Sequence, residues 1–409
     1  MFYKKLLEVF MKRILSFLIC IMIAFNYATI TVSASVDEGY TDNVSDVENN
    51  IENVNSLEIN AKSAILMDVE TGLVLYTKNA AEALPPASVT KIMTLLLVAE
   101  AIEKDMISLE DKILVSANAA SMGGSQIFIK EGEEFTVEEL LKSTVIASAN
   151  DAAVALAETV AGSESAFVER MNQRAKELGM NNTHFENATG LDDTVVNHVI
   201  SAYDIALMSR ELLKYKFVTD FSNIWQDSIR NGEFILTNTN RLVRYYDGCT
   251  GLKTGSTDKA GFCVSATAKR DGMHLIAVVM GAETRDERNN AARAMLDFGF
   301  SNYALYSEAE SELEYIDVIQ GIKDNTALYS RAFAKLVNKG DNKRIEKEFS
   351  IPDFISAPLS KGDVVGKIVY KLNGEIIGET DVFVKENIDK ITLSDLFGRI
   401  LKTIFTGKC

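Results

Sequence analysis

Residues 85–102 read PPASVTKIMTLLLVAEAI: two prolines and a short polar stretch that run into an apolar segment of helical length. A helix that is apolar all round has no solvent side, so it must sit inside a body that covers it from every direction. A chain of 409 residues, 47% apolar and 24% charged, can build such a body and a second domain besides. Ser88 and Lys91 then stand at the mouth of a buried helix, three residues apart and on one face, with the serine oxygen near the helix N-terminal dipole. A lysine amine held away from water and near another cation loses pKa, and in its neutral form it can take a serine's proton. The bland alternative is a serine that caps a helix. The same spacing recurs at Ser256–Lys259, in what reads as an ordinary turn.

The flanking text sets the fold class. AKSAILMDVETGLVLYTKN alternates into two strands about the Glu70-Thr71-Gly72 turn. Helical patterns follow at 88–103, 136–148, 150–161, 164–178 and 201–214, the last opened by Ser201 with Asp204 as a capping box. GFCVSATAK and MHLIAVVMGA return to strands across Asp271-Gly272, and a helix over 285–297 closes the block. Strands, helices, then strands again predict an α/β (α+β) fold over residues 59–310, an antiparallel sheet flanked by helices rather than a doubly wound parallel sheet. Residues 311–388 change to short β-rich runs with an Asn373-Gly374 hairpin and predict a small all-β domain.

The two ends read as addresses. Lys4, Lys5, Lys12 and Arg13 precede an apolar run from Ile14 to Tyr27, and Val32-Ser33-Ala34 offers small residues for cleavage, so residues 1–34 are expected to be an export signal, with Met1 or Met11 as its start. Residues 35–58 are acidic and poor in aromatics, the composition of a flexible lead-in. At the other end, 389–409 forms a two-faced helix. Leu393, Leu396, Phe397, Ile400, Leu401, Ile404 and Phe405 share one side, with Asp395, Arg399 and Lys402 opposite. Too short to span a bilayer, it is expected to lie on the outer face of the cytoplasmic membrane, with docking on the β domain as the alternative. The expected location is therefore extracytoplasmic, peripheral on the membrane or cell wall.

A net charge of −16 without clustered Lys and Arg excludes nucleic acid as a partner. His184, His198 and His274 form no metal-ligand pair, and neither a metal nor a cofactor is implied. Cys20 falls within the export signal, and a hairpin turn at Asp258-Lys259 would not set Cys249 opposite Cys263, so buried free thiols are expected rather than a disulfide, with Cys409 left over.

Two further elements change the weight of Ser88 and Lys91. IASANDAAVALAE puts Ser148 and Asn150 at a break between helical patterns, where side chains can enter a cleft; capping by Asn150 or Asp151 is the bland explanation, and Ser116-Ala117-Asn118 repeats the triplet without consequence. CTGLKTGSTDKAGFC puts Lys253, Thr254 and Gly255 on a strand, with the glycine where something approaches the backbone closely.

The ordered set SxxK, SxN and KTG is that of the penicillin-recognising serine enzymes. With PASVTKIMT, IASANDAA, NATGL, SAYDIALMSR, DGCTGLKTGSTDKAGFCVSA and HLIAVVMGA, the chain from about Ile59 onward resembles the D-alanyl-D-alanine carboxypeptidases, the low-molecular-mass penicillin-binding proteins. The resemblance implies a β-lactamase/penicillin-binding transpeptidase-like catalytic domain that acts on peptidoglycan stem peptides and is trapped by β-lactams. By position it makes Ser88 the acylated nucleophile, Lys91 its general base and Ser148 the proton donor toward the leaving amine. Asn150 would hold the substrate amide, Lys253 and Thr254 its terminal carboxylate, with Arg288 assisting. Backbone N–H groups of Ser88 and Ser256 would form the oxyanion hole. The chain departs from the family at Ala149, where glycine is common, and at Ser256, where histidine is common. Two alternatives stay open: a class A-like β-lactamase with Glu186 as the water-activating carboxylate, and a sensor or wall-binding protein whose Ser88 acylates but barely turns over.

Overall fold

The computed structural model describes residues 57–193 and 195–406. The expected export signal, Cys20, nearly all of the lead-in and Cys409 lie outside the described residues.

Strands β1 (Ser63–Asp68) and β2 (Val74–Lys78) open the first domain, and helix α1 (Lys91–Glu103) follows a 3₁₀ turn over Ala87–Thr90. Hairpin β3 (Lys112–Leu114) and β4 (Glu134–Thr136) flanks the short α2 (Ala117–Ala120). Next come α3 (Val137–Ile146), α4 (Asn150–Ala161), α5 (Glu164–Glu177), α6 (Ala202–Leu212) and α7 (Lys216–Ser222). A second hairpin, β5 (Gln226–Ile229) and β6 (Phe234–Thr237), leads through α8 (Leu242–Tyr245) to β7 (Cys249–Thr257), β8 (Gly261–Arg270), β9 (Met273–Ala282) and α9 (Arg285–Asn302).

The central sheet has the order β2-β1-β9-β8-β7, every pair antiparallel. Along β9, Ile276, Val278 and Met280 pack with the α1 side while Leu275, Ala277 and Val279 pack with the α9 side. Both faces are thus covered, which is why MHLIAVVMGA reads as one apolar run rather than an alternation. α1 is buried on every side from Lys91 through Ala99, as its composition requires, and opens to solvent only in its last turn.

Local chemistry sets several ends. Thr136 with Glu139 and Thr284 with Glu287 form complete capping boxes for α3 and α9. Ser201 accepts from Asp204 N, but Asp204 Oδ2 accepts from Asn182 N and Thr183 Oγ1 rather than closing the expected box. α9 runs five residues past the expected end at 297, because Leu296, Gly299 and Phe300 continue its buried stripe. The α-helix expected from Ser88 begins instead at Lys91, and the turn before it is 3₁₀.

The second domain begins with β10 (Tyr303–Glu308), β11 (Ser311–Ile319), β12 (Asn325–Ser330), β13 (Phe333–Asn338) and β14 (Ile345–Ser350). It ends with β15 (Phe354–Ser356), β16 (Val364–Leu372) and β17 (Glu375–Val384). β10 pairs with β13, so the change of sheet precedes the expected boundary at 310. The other six strands form one sheet, β14-β16-β17-β12-β11-β15, over a core of its own that includes Ile316, Leu328, Ile368, Tyr370 and Val382. Helix α10 (Leu393–Thr406) follows. Among the described residues no helix is long and apolar enough to cross a membrane.

Candidate active site

The 3₁₀ turn explains the spacing of Ser88 and Lys91. At three residues per turn, side chains i and i+3 eclipse, and Lys91 Nζ comes within 2.8 Å of Ser88 Oγ. Ser88 makes no helix cap: the N-cap position of α1 is Thr90, without a side-chain bond. Ala87, immediately before the serine, has φ +50°, a conformation an alanine holds only where its surroundings impose it. Gly190 is one such surrounding, since a Cβ there would lie 1.8 Å from Ala87 O.

Lys91 is fully buried yet fully bonded. It donates to Asn150 Oδ1 at 2.6 Å and to Thr189 O at 2.9 Å. A neutral amine has two N–H bonds and one lone pair, so these acceptors take both N–H bonds and leave the lone pair facing the Ser88 hydroxyl. Burial and then the charge of Lys253 hold the Lys91 pKa well below its ordinary value, opposed by Asp151.

Ser148 lies in the break between α3 and α4, at φ +62°. Its hydroxyl accepts from Lys253 Nζ at 2.8 Å, and Lys253 also donates to Thr254 O at 2.9 Å. Asn150 bridges Lys91 to the 123–129 loop by donating to Gly123 O at 2.8 Å. Capping does not account for this pair. The N-cap of α4 is Ala149, without a side-chain bond, and the buried Asp151 accepts from Ile127 N, Ile129 N and Ala152 N. The other triplet does cap: Ser116 accepts from Ala119 N, and its hydroxyl and Asn118 bind Glu158.

β7 brings the third motif. It is an edge strand of the sheet, and a Cβ on Gly255 would lie 2.7 Å from Ser88 N and 2.9 Å from both Val89 N and Pro86 O. Only glycine lets the strand approach the turn so closely. The next residue, Ser256, is exposed beside it. The Thr254 hydroxyl donates to Thr239 Oγ1 at 2.8 Å. Burial and then Arg288 lower the Lys253 pKa to about 7. Arg288 is itself buried, with its pKa lowered to about 10 by burial and then Arg285, and its guanidinium is bonded to Asn289 Oδ1. Its effect on Lys253 is one of charge.

All three motifs therefore meet in one place. Sequence reasoning gave no role to Thr189 or Thr239 and considered Asp151 only as a helix cap. The NATGL stretch pointed to Thr189, and an acid directly after Asn150 to Asp151. Glu186 is engaged within its own loop, where Oε2 accepts from Val196 N and Asn197 N. Cys249 and Cys263 are free and pair in β7 and β8 with Ala268 and Gly255, not with each other. Among the described residues no group of side chains could hold a metal ion.

Residues 49–284 match the family described as D-alanyl-D-alanine carboxypeptidase, and 300–390 match the C-terminal domain of penicillin-binding protein 5. The chain is 47% identical over 338 residues to the D-alanyl-D-alanine carboxypeptidase DacF of Bacillus subtilis, covering 81% of this chain and 86% of the relative. In structure it is similar to penicillin-binding protein 5 of Haemophilus influenzae, with a TM-score of 0.70 and 29% identity over 83% of this chain and all of that one. It is also similar to the ampicillin-bound penicillin-binding protein D2 of Listeria monocytogenes, with a TM-score of 0.55 and 32% identity over 60% of this chain and 99% of that one.

Proposed function

The chain belongs to the D-alanyl-D-alanine carboxypeptidase family of low-molecular-mass penicillin-binding proteins, and on that premise we propose how its own residues carry out the reaction on peptidoglycan stem peptides. The enzyme is a serine hydrolase that removes the terminal D-alanine. Ser88 Oγ attacks the carbonyl carbon of the penultimate D-alanine as its proton passes to the neutral Lys91 amine, 2.8 Å away. The oxyanion that forms is assigned to the N–H groups of Ser88 and Ser256; the support is that Gly255, the neighbour of Ser256, approaches the turn so closely that a Cβ there would lie 2.7 Å from Ser88 N. As the C–N bond breaks, the Ser148 hydroxyl gives its proton to the departing amine and is reprotonated from the lysines. D-Alanine leaves, and an ester to Ser88 remains. Water then attacks that ester and gives one proton to Lys91, which passes it to Ser88 Oγ as the ester C–O bond breaks, so that the shortened peptide leaves as its carboxylic acid and Ser88 is restored.

Substrate recognition follows charge and shape. Lys253, Thr254 and Arg288 form the positive end that takes the terminal carboxylate, and Asn150 holds the amide of the acyl side. A β-lactam presents a carboxylate and a strained amide in the same relation and would leave a slowly hydrolysed ester on Ser88.

For location, we propose an exported enzyme that rests on the outer face of the cell membrane through α10. The support is that Arg399, on the polar side of α10, is bonded to Asp324 and to the Gly321 and Ile322 carbonyls. Leu393, Phe397, Ile404 and Phe405 stay 63–87% exposed on the apolar side.

The observation that carries the reading is the buried Lys91 Nζ 2.8 Å from Ser88 Oγ, with Asn150 Oδ1 and Thr189 O as its other two neighbours. The test is D-alanine release from diacetyl-L-Lys-D-Ala-D-Ala by the wild type and by Ser88→Ala. Steady release that falls by at least about a thousandfold in the variant supports it; equal release overturns it.

A further inference from the structure

His198 is a buried titratable side chain that the reaction above does not use, and it joins the 184–199 loop to the nucleophile turn. Its Nδ1 lies 3.0 Å from Glu186 N, and a backbone N–H can only donate, so Nδ1 carries no proton. The neutral ring therefore keeps its proton on Nε2, which donates to Thr90 Oγ1 at 2.8 Å. The Thr90 hydroxyl turns its own proton to Ala87 O, also at 2.8 Å. The direction of every bond is thus fixed, from the loop backbone through His198 and Thr90 to the carbonyl next to Ser88. That carbonyl belongs to the residue held at φ +50°.

The same loop supplies other parts of the site. Thr189 O takes an N–H of Lys91, Ala188 O accepts from Thr94 Oγ1 at 2.6 Å, and a Cβ on Gly190 would lie 2.6 Å from Thr90 Oγ1. Glu186 and the backbone of Val196 and Asn197 close the loop upon itself. His198 is the side chain through which this closed loop grips the turn.

We propose that His198 is a positioning residue: through Thr90 it fixes the Ala87 carbonyl and so the aim of Ser88, and it keeps the loop that carries Thr189 O against Lys91. The proposal rests on Ser88 being the nucleophile. Burial lowers the ring's pKa to about 4; the Glu186 and Asp192 carboxylates favour the cation and His184 opposes it. Lys91 follows Thr90 directly in the chain but is not among the charges that shift the ring. A second proton on Nδ1 would face the Glu186 N–H, so protonation breaks the chain at its loop end.

The test is the second-order rate of Ser88 acylation by a fluorescent penicillin, with unfolding temperature measured on the same full-length samples. His198→Asn keeps an acceptor for Glu186 N but cannot reach Thr90. His198→Gln keeps a donor for Thr90, and Thr90→Val removes the hydroxyl at constant shape. The expected result is a loss of about tenfold or more for His198→Asn and for Thr90→Val, no further loss in the double variant, and a smaller loss for His198→Gln. Both proteins should lose acylation as Lys91 takes a proton, and the wild type should show a further loss as pH falls through about 4 that His198→Gln lacks. Rates that match wild type, or losses that multiply in the double variant, overturn the proposal while labelling of the wild type leaves the nucleophile standing. A wild type that takes no label at Ser88 overturns the nucleophile reading itself.

Discussion

Lys253 Nζ sits 2.8 Å from Ser148 Oγ, the same distance that separates Lys91 Nζ from Ser88 Oγ. The site thus holds two serine–lysine couples, and the reaction asks opposite charge states of them. Lys91 must be neutral to accept a proton, whereas Lys253 must be charged to attract a carboxylate. Burial lowers both; beyond that, Lys253 lowers Lys91 further and Arg288 lowers Lys253 further. Each buried cation keeps the next one more acidic.

This ordering predicts a bell-shaped pH profile for kcat/KM of D-alanine release. The acid limb follows deprotonation of Lys91, and the alkaline limb begins near pH 7, where Lys253 loses its proton. Arg288→Gln removes a like charge, so the alkaline limb should move to higher pH even as KM rises. A limb that moves to lower pH would contradict the assignment.

Burying Lys253 should also be visible in stability. Its folded pKa of about 7 lies below the unfolded value, so between the two the unfolded chain binds more protons and stability from this group rises with pH. The cost of the buried amine is full below about pH 7 and fades toward the unfolded lysine pKa of about 10.4. Lys253→Met, which fills the space without charge, should raise the urea midpoint relative to wild type more at pH 6 than at pH 9. The reverse order would show that the lysine is not the destabilising group.

Gly255→Ala tests the approach of strand to turn. Its Cβ would fall 2.7 Å from Ser88 N, against backbone that cannot swing aside. Displacing one oxyanion donor costs on the order of a hundredfold in kcat or more, and acylation by penicillin should fall alike. A variant that acylates at the wild-type rate would mean the hole lies elsewhere.

The apolar side of α10 gives a prediction independent of catalysis. Phe397→Glu with Ile404→Glu should abolish cosedimentation with anionic phospholipid vesicles and leave D-alanine release in solution unchanged, since both residues are exposed on the helix. Equal sedimentation of the variant would remove α10 as the contact.

Much of this architecture was legible in the sequence because it depends on period and punctuation. The hairpins at Asp271-Gly272 and Asn373-Gly374 and the two-sided burial of β9 follow from residue type alone. The order SxxK, SxN, KTG identified the side chains that meet. The 3₁₀ turn under Ser88 was not legible, since alanine and valine next to a proline give no signal that separates it from an α-helical start. The positive φ at Ala87 and Ser148 runs against local preference and is imposed by partners distant in sequence, such as Gly190. Thr189 acts through its backbone carbonyl, which no side-chain pattern reports. The domain boundary came late because β10 resembles its neighbours on both sides and is assigned only by pairing with β13.

The central claim is that Ser88 carries the acyl group. The most direct measurement is to quench the enzyme with acid while it turns over diacetyl-L-Lys-D-Ala-D-Ala or is saturated with penicillin, then map the modified peptide by mass spectrometry. The account predicts one added acyl group on the peptide that holds Ser88, absent from Ser88→Ala. An acyl group on Ser148 or Ser256, or unchanged labelling of Ser88→Ala, would contradict it.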